Sequence, residues 1–224
     1  MNIEQHIEQI EEFMGHEYGD VPLGFTIEEL LTSIFSKHPE DIAEARESIK
    51  EVMENFGGVY NPEIHGIFFS DDYDDRTIIH ECVHGYVRNH WPAFINHVVE
   101  IKESLIKGKI DSDKYFCYHS LNEGIADYTA VKIVQDYALE KRMLSFFNDS
   151  GILDEKDFLS SVKMCNRFES KKDGDIMDSL ARGLGFSYVH KKMLEIGDSA
   201  HEVLDTIIPG PKFIQEMFDT VWKQ

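Results

Sequence analysis

The stretch Thr77-Ile78-Ile79-His80-Glu81-Cys82-Val83-His84-Gly85-Tyr86 contains the pattern His-Glu-x-x-His. On a helix, residues four apart lie one above the other on the same face. His80 and His84 therefore offer two imidazole nitrogens to one metal ion. Glu81 sits about 100° around the helix from His80, beside the metal, where a carboxylate can take a proton from water. Cys82 projects to another face and is a poor ligand, while Ile78, Ile79 and Val83 should bury the back of the helix. The chemistry suited to this arrangement is metal-assisted hydrolysis. The same five residues also arise where two histidines flank a glutamate for packing alone.

A hydrolytic zinc site takes three protein ligands and keeps one position open for water. Three residues compete for the third place. Glu123 lies in Leu121-Asn122-Glu123-Gly124-Ile125-Ala126-Asp127. It shares a helix face with Asp127, four residues on, so Glu123 can bind the metal while Asp127 accepts the second N–H of a ligand histidine. Gly124 and Ala126 are small enough to allow close packing against the motif helix. His119 stands one turn earlier. His90 has the spacing of the longer pattern His-Glu-x-x-His-x-x-Gly-x-x-His, but Val87 occupies the turning glycine's place, so a continuing helix should carry His90 away. The order of preference is Glu123, His119, His90.

Helical periodicity supplies most of the supporting elements. Ile3, Ile7, Ile10 and Met14 mark a first helix. Thr26 with Glu29 forms a capping-box pattern for a second, ending near His38-Pro39, and a third runs from about 40 to 55. These helices form an N-terminal layer without chemistry of its own. Gly58-Val59-Tyr60 and Ile64 to Ser70 read as short strands joined around Asn61-Pro62-Glu63; the second strand could pair with an extended substrate or simply cover core. Asp71, Asp72, Asp74 and Asp75 suit the start of the motif helix through its dipole. They lack the glycine and distal glutamate of a calcium loop. The motif helix should span about 75 to 90, followed by helices at about 93–107, 115–134, 136–148, 155–168, 176–196, 201–207 and 212–223. Gly151, Gly174, Gly197 and Pro209-Gly210-Pro211 punctuate them. The fold class is α+β, predominantly helical, with a small sheet before the motif helix. We expect a single domain over 1–224: an N-terminal layer (1–57), a metal-site core (58–135) and a helical C-terminal part (136–224).

The chain of 224 residues carries a net charge of −20. That disfavours nucleic-acid phosphates or an anionic membrane surface as the main partner and admits a neutral or basic peptide. No apolar run reaches transmembrane length. Residues 1–12 lack a secretory signal's basic and apolar regions. Cys82, Cys117 and Cys165 stand far apart and form no disulfide framework. The expectation is a cytoplasmic protein.

His80-Glu81-Cys82-Val83-His84 followed by Asn122-Glu123-Gly124-Ile125-Ala126-Asp127 resembles the gluzincin metallopeptidases, the thermolysin-like class. The likeness covers roughly residues 65 to 130, with an added helix between His84 and Glu123. It implies a zincin-like fold and a Zn²⁺ ion held by His80, His84 and Glu123. Asp127 would support the first histidine, and Glu81 would be the general base of peptide-bond hydrolysis. Members of the class place a Tyr or His opposite the base to stabilise the oxyanion. Here Leu180-Ala181-Arg182-Gly183-Leu184-Gly185-Phe186-Ser187-Tyr188-Val189-His190 has Arg182 where the tyrosine is expected. Arg182, Tyr188 and His190 are the candidate donors, each equally compatible with packing; Tyr86 and Tyr128 are read as packing residues. The expected partner is a peptide or protein substrate. The alternatives are a non-catalytic zincin-like scaffold that binds metal for a regulatory or interaction role, and hydrolysis of a non-peptide amide.

Overall fold

The computed structural model describes residues 3–25, 58–62, 65–69, 73–106, 112–165, 171–197, 199–208 and 213–222. Apolar residues recur at helical spacing through most of them, and most are helical. Helix α1 (Ile3–Met14) buries Ile7, Ile10 and Met14, as its periodicity requires, and stops at Gly15 in a left-handed conformation (φ 72°). Three strands follow: β1 (Leu23–Phe25), β2 (Gly58–Asn61) and β3 (Gly66–Phe69). They form one sheet in the order β1-β3-β2. β1 runs parallel to β3, with Gly24 opposite Ile67. β2 runs antiparallel to it, with Val59 opposite Phe68.

Helix α2 (Asp75–His90) begins at the Asp74 N-cap. The Asp74 carboxylate accepts the Thr77 backbone N–H at 2.8 Å and its hydroxyl at 2.7 Å, satisfying a donor the first turn leaves without a partner. The helix ends at Trp91, whose N–H reaches the Val87 carbonyl. Pro92 then opens α3 (Pro92–Ile106) at the position where a missing N–H costs nothing. The remaining described helices are α4 (Ser112–Val134), α5 (Tyr137–Ser150), α6 (Glu155–Cys165), α7 (Lys171–Ile196), α8 (Ala200–Ile207) and α9 (Phe213–Trp222). Asp136 caps α5, and Ser199 with Glu202 makes a capping box on α8. Among the described residues, no helix is long and apolar enough to cross a membrane.

Three helices hold the centre of the molecule. α2 packs on α4, and α4 crosses α7. Leu121 and Ile125 of α4 and Leu184 and Val189 of α7 are fully buried, as are Cys82 and Val83 of α2. Each large aliphatic side chain removed from water contributes about 1.5–3 kcal/mol. The α4–α7 crossing is backbone against backbone. A Cβ on Gly124 would lie 2.1 Å from the Gly185 carbonyl carbon, and a Cβ on Gly185 would lie 1.7 Å from the Ser120 carbonyl oxygen. A second tight contact joins the segment after α1 to α2. The buried Tyr18 hydroxyl donates to the Cys82 carbonyl, and Gly85 leaves it room, since a Cβ there would stand 2.5 Å from that hydroxyl.

Several expectations change. β1 was not foreseen; three residues carry no readable period. β3 is the central strand, paired on both sides over Gly66–Phe68, so its backbone cannot also pair with a substrate there. α7 runs through Gly174, because one glycine inside a helix costs only about 1 kcal/mol against alanine. The helices expected at 26–38 and 40–55, with the Thr26–Glu29 cap, lie outside the described residues, as do Glu63, Ile64, Ser70, Asp71 and Asp72.

The crossing makes a direct demand on sequence. Gly185→Ala should destabilise the protein by about 3 kcal/mol or more, at the upper end of overpacking costs, because the clash is with backbone. Urea unfolding of the variant beside wild type checks this; an unchanged midpoint would mean that α4 and α7 do not touch as described.

Candidate metal centre

The four-residue repeat that places His80 above His84 on α2 turns both Nε2 atoms to one point, 3.1 Å apart. α4 brings Glu123 against them. One carboxylate oxygen is 3.3 Å from His80 Nε2 and the other 3.5 Å from His84 Nε2. Donors bound at 2.0–2.1 Å to a tetrahedral zinc ion stand about 3.3–3.4 Å from one another. The three side chains therefore already hold the spacing such an ion needs, and their donor set of two imidazoles and a carboxylate suits it. All three are buried.

The surroundings fix this geometry. His80 Nδ1 donates to Asp127 Oδ1 at 2.9 Å, which leaves Nε2 as the lone-pair nitrogen facing the site. Arg182 of α7 then joins the carboxylates. Its Nη1 donates to Asp127 at 2.9 and 3.2 Å, its Nε donates to Asp178 at 2.8 Å, and its Nη2 lies 3.4 Å from Glu123. Three carboxylates thus share one guanidinium. With neutral imidazoles the cluster keeps two unbalanced negative charges, matching one divalent cation.

Burial opposes charge on Glu123, but His84, His80, His119 and Arg182 outweigh it and hold the carboxyl well below its usual range. Burial likewise opposes a proton on His80, yet Asp127 and Glu123 raise it above the ordinary imidazole value. Burial drives His84 down to about 4, with Glu123 acting against it. Among the described residues, His84 Nδ1 and Asn122 Oδ1 are buried without a hydrogen-bond partner in good geometry, although Asn122 is near enough to favour protonation of His84. Glu81 makes no ion pair with the other members. Burial pushes its carboxyl up to about 7; His80, the Tyr60 N–H and Arg182 oppose this, and Glu123 adds to it. Its stem packs under β2, where a Cβ on Gly58 would lie 3.0 Å from Glu81 Cγ.

The structure brings together His80, Glu81, His84, Glu123, Asp127 and Arg182, with His119 at the rim. His119 stands 3.8 Å from Glu123 and 3.9 Å from Asp178, outside hydrogen-bonding distance of both. Tyr188 and His190 do not reach the site. They lie six and eight residues beyond Arg182, about 9 and 12 Å further along α7. Tyr188 is buried with the Lys192 ammonium over its ring, and His190 sits 3.7 Å from Glu140. Arg182 does reach the site, but its nitrogens serve carboxylates. His90 is carried away along α2, as the uninterrupted helix requires. Tyr86 and Tyr128 are core residues.

Three site residues escaped the sequence reading. Tyr115 stacks on His119, with centroids 5.5 Å apart and planes within 7°. Asp178 receives Arg182. Tyr60 lies over His84 at 6.4 Å, and its hydroxyl is 2.7 Å from His65 Nδ1. A signal for the first existed: Tyr115, His119, Glu123 and Asp127 recur every four residues along one face of α4.

Asp127→Ala should weaken zinc binding about 10–100-fold by freeing the His80 ring. A zinc titration of the chelator-treated variant measures it, and wild-type affinity in that variant would remove Asp127 from the metal's support. In comparison with known proteins, no family model, no curated protein and no solved structure matches the chain.

Proposed function

We propose that the chain is a zinc-dependent metallopeptidase of the gluzincin, thermolysin-like class, with a zincin-like fold. The observation that carries the proposal is the convergence of His80, His84 and Glu123 at tetrahedral spacing, with Asp127 behind His80 and Glu81 beside the cluster. Zinc, when bound, supplies Lewis acidity that makes water nucleophilic near neutral pH and polarises a carbonyl oxygen.

The chain's own residues do the rest. Glu81, its proton affinity raised by burial, accepts the proton of the attacking water and delivers it to the leaving amine. Asp127 keeps the His80 tautomer. Arg182 is a positioning residue that holds Glu123 and Asp127 in place. His119 takes the oxyanion role first considered for Arg182, because it is the ring at the rim whose nitrogens are not within hydrogen-bonding distance of a carboxylate. Among the described strands, β2 rather than β3 lies at an edge of the sheet, and β2 borders Glu81, to which the Tyr60 N–H donates. A peptide laid along that edge would pass beside the base.

A metal held for stability alone gives Glu81 no task. Its buried carboxyl binds no ligand nitrogen and costs desolvation, so a structural site would do better with an apolar residue there.

Glu81→Gln should retain zinc and lose peptide cleavage. His119→Ala should retain zinc and lower kcat about 10²-fold, the scale of one lost oxyanion donor. Zinc analysis and mass spectrometry of a digested peptide library test both. Full turnover in Glu81→Gln would end the proposed mechanism.

A further inference from the structure

A second histidine cluster lies at the far end of α2. His16 follows α1, His90 is the last residue of α2, and His201 lies in the first turn of α8. One nitrogen of each lies within 4.8 Å of the others. The His16 and His201 rings stack at 4.1 Å, and His90 meets them edge-on at 4.9 and 5.0 Å. Protonated imidazoles would repel at this range.

Each ring is also held from behind. His90 Nε2 is 2.9 Å from the Glu17 carbonyl, and His16 Nδ1 is 3.2 Å from the same oxygen. His201 Nδ1 is 2.6 Å from the Tyr86 hydroxyl. That leaves His16 Nε2, His90 Nδ1 and His201 Nε2 outside these three contacts. Asp205 stands one turn from His201, with Oδ2 3.7 Å from His201 Nε2 and Oδ1 accepting the Trp91 indole N–H at 2.9 Å. Ligating histidines characteristically donate their second nitrogen to a carbonyl or hydroxyl, and ligating carboxylates are themselves hydrogen-bonded. All three histidines here meet that description.

We propose that His16, His90 and His201 bind a second divalent transition-metal ion of the zinc type. His16, exposed after the end of α1, closes on the ion by side-chain rotation. The ion clamps the ends of α1, α2 and α8 together. It takes no part in hydrolysis: His90 lies ten residues beyond His80, about 15 Å along α2, whereas paired catalytic metals stand about 3.5–4 Å apart.

The test is a zinc titration by calorimetry of the chelator-stripped full chain, as wild type, His16→Ala and His84→Asn. The expected uptake is about two equivalents for wild type and about one for each variant. Zinc should raise the melting temperature of His84→Asn but not of the double variant His16→Ala/His84→Asn. Should the first centre prove unable to hold metal, wild type would take one equivalent and His16→Ala none. Identical uptake and affinity in wild type and His16→Ala would overturn the proposal. Because His16 is exposed, its loss leaves the fold intact and that comparison stands on its own.

Discussion

Where Gly124 of α4 meets Gly185 of α7, no side chain separates the backbones, and the metal centre depends on that contact. Glu123 adjoins Gly124, and Arg182 lies just under one turn before Gly185. Only with the two helices in contact does the Arg182 guanidinium, paired with Asp178 on its own helix, also reach Asp127 and Glu123. A methyl group at the crossing would move the helices apart by more than a hydrogen bond tolerates. The glycines therefore act on chemistry through distance, as Gly85 does at the Tyr18 contact that seats α2.

The cluster so assembled is electrostatically incomplete. Burial of Glu123 and Asp127 is tolerable only with positive charge nearby, and one guanidinium does not neutralise three carboxylates. The protein without metal can recover part of the deficit by protonating His80, whose proton affinity is raised by Asp127. A divalent cation would meet the same need more fully at the point where two imidazole nitrogens already face each other. On the proposed reading, stability and metal affinity share one origin: charge placed in a poorly solvated interior.

The legible parts of the site were those written in local spacing. His80 and His84 follow from one helical repeat, and Glu123 with Asp127 from another. The small residues around them announce a close helix contact, but Gly124 meets Gly185 of α7 rather than the motif helix expected from the sequence. The extent of α1 and α2 was equally plain, because apolar periodicity and a capping aspartate are local signals. What could not be read depends on rotation and register between elements. Arg182, Tyr188 and His190 share one helix, and only the angle at which α7 crosses α4 decides that Arg182 alone faces the carboxylates. β3 read as a good strand, but its central place in the sheet came from β1, a three-residue strand too short to show a pattern. The histidines at 16, 90 and 201 share no spacing at all; packing of three helix ends brings them together.

The most direct test is an anomalous difference map at the zinc edge from crystals of the full chain grown with zinc. The account predicts a peak between His80 Nε2, His84 Nε2 and Glu123, with a light atom completing the coordination on the side of Glu81. Density empty of metal at that point, with the three side chains ordered as described, would contradict it.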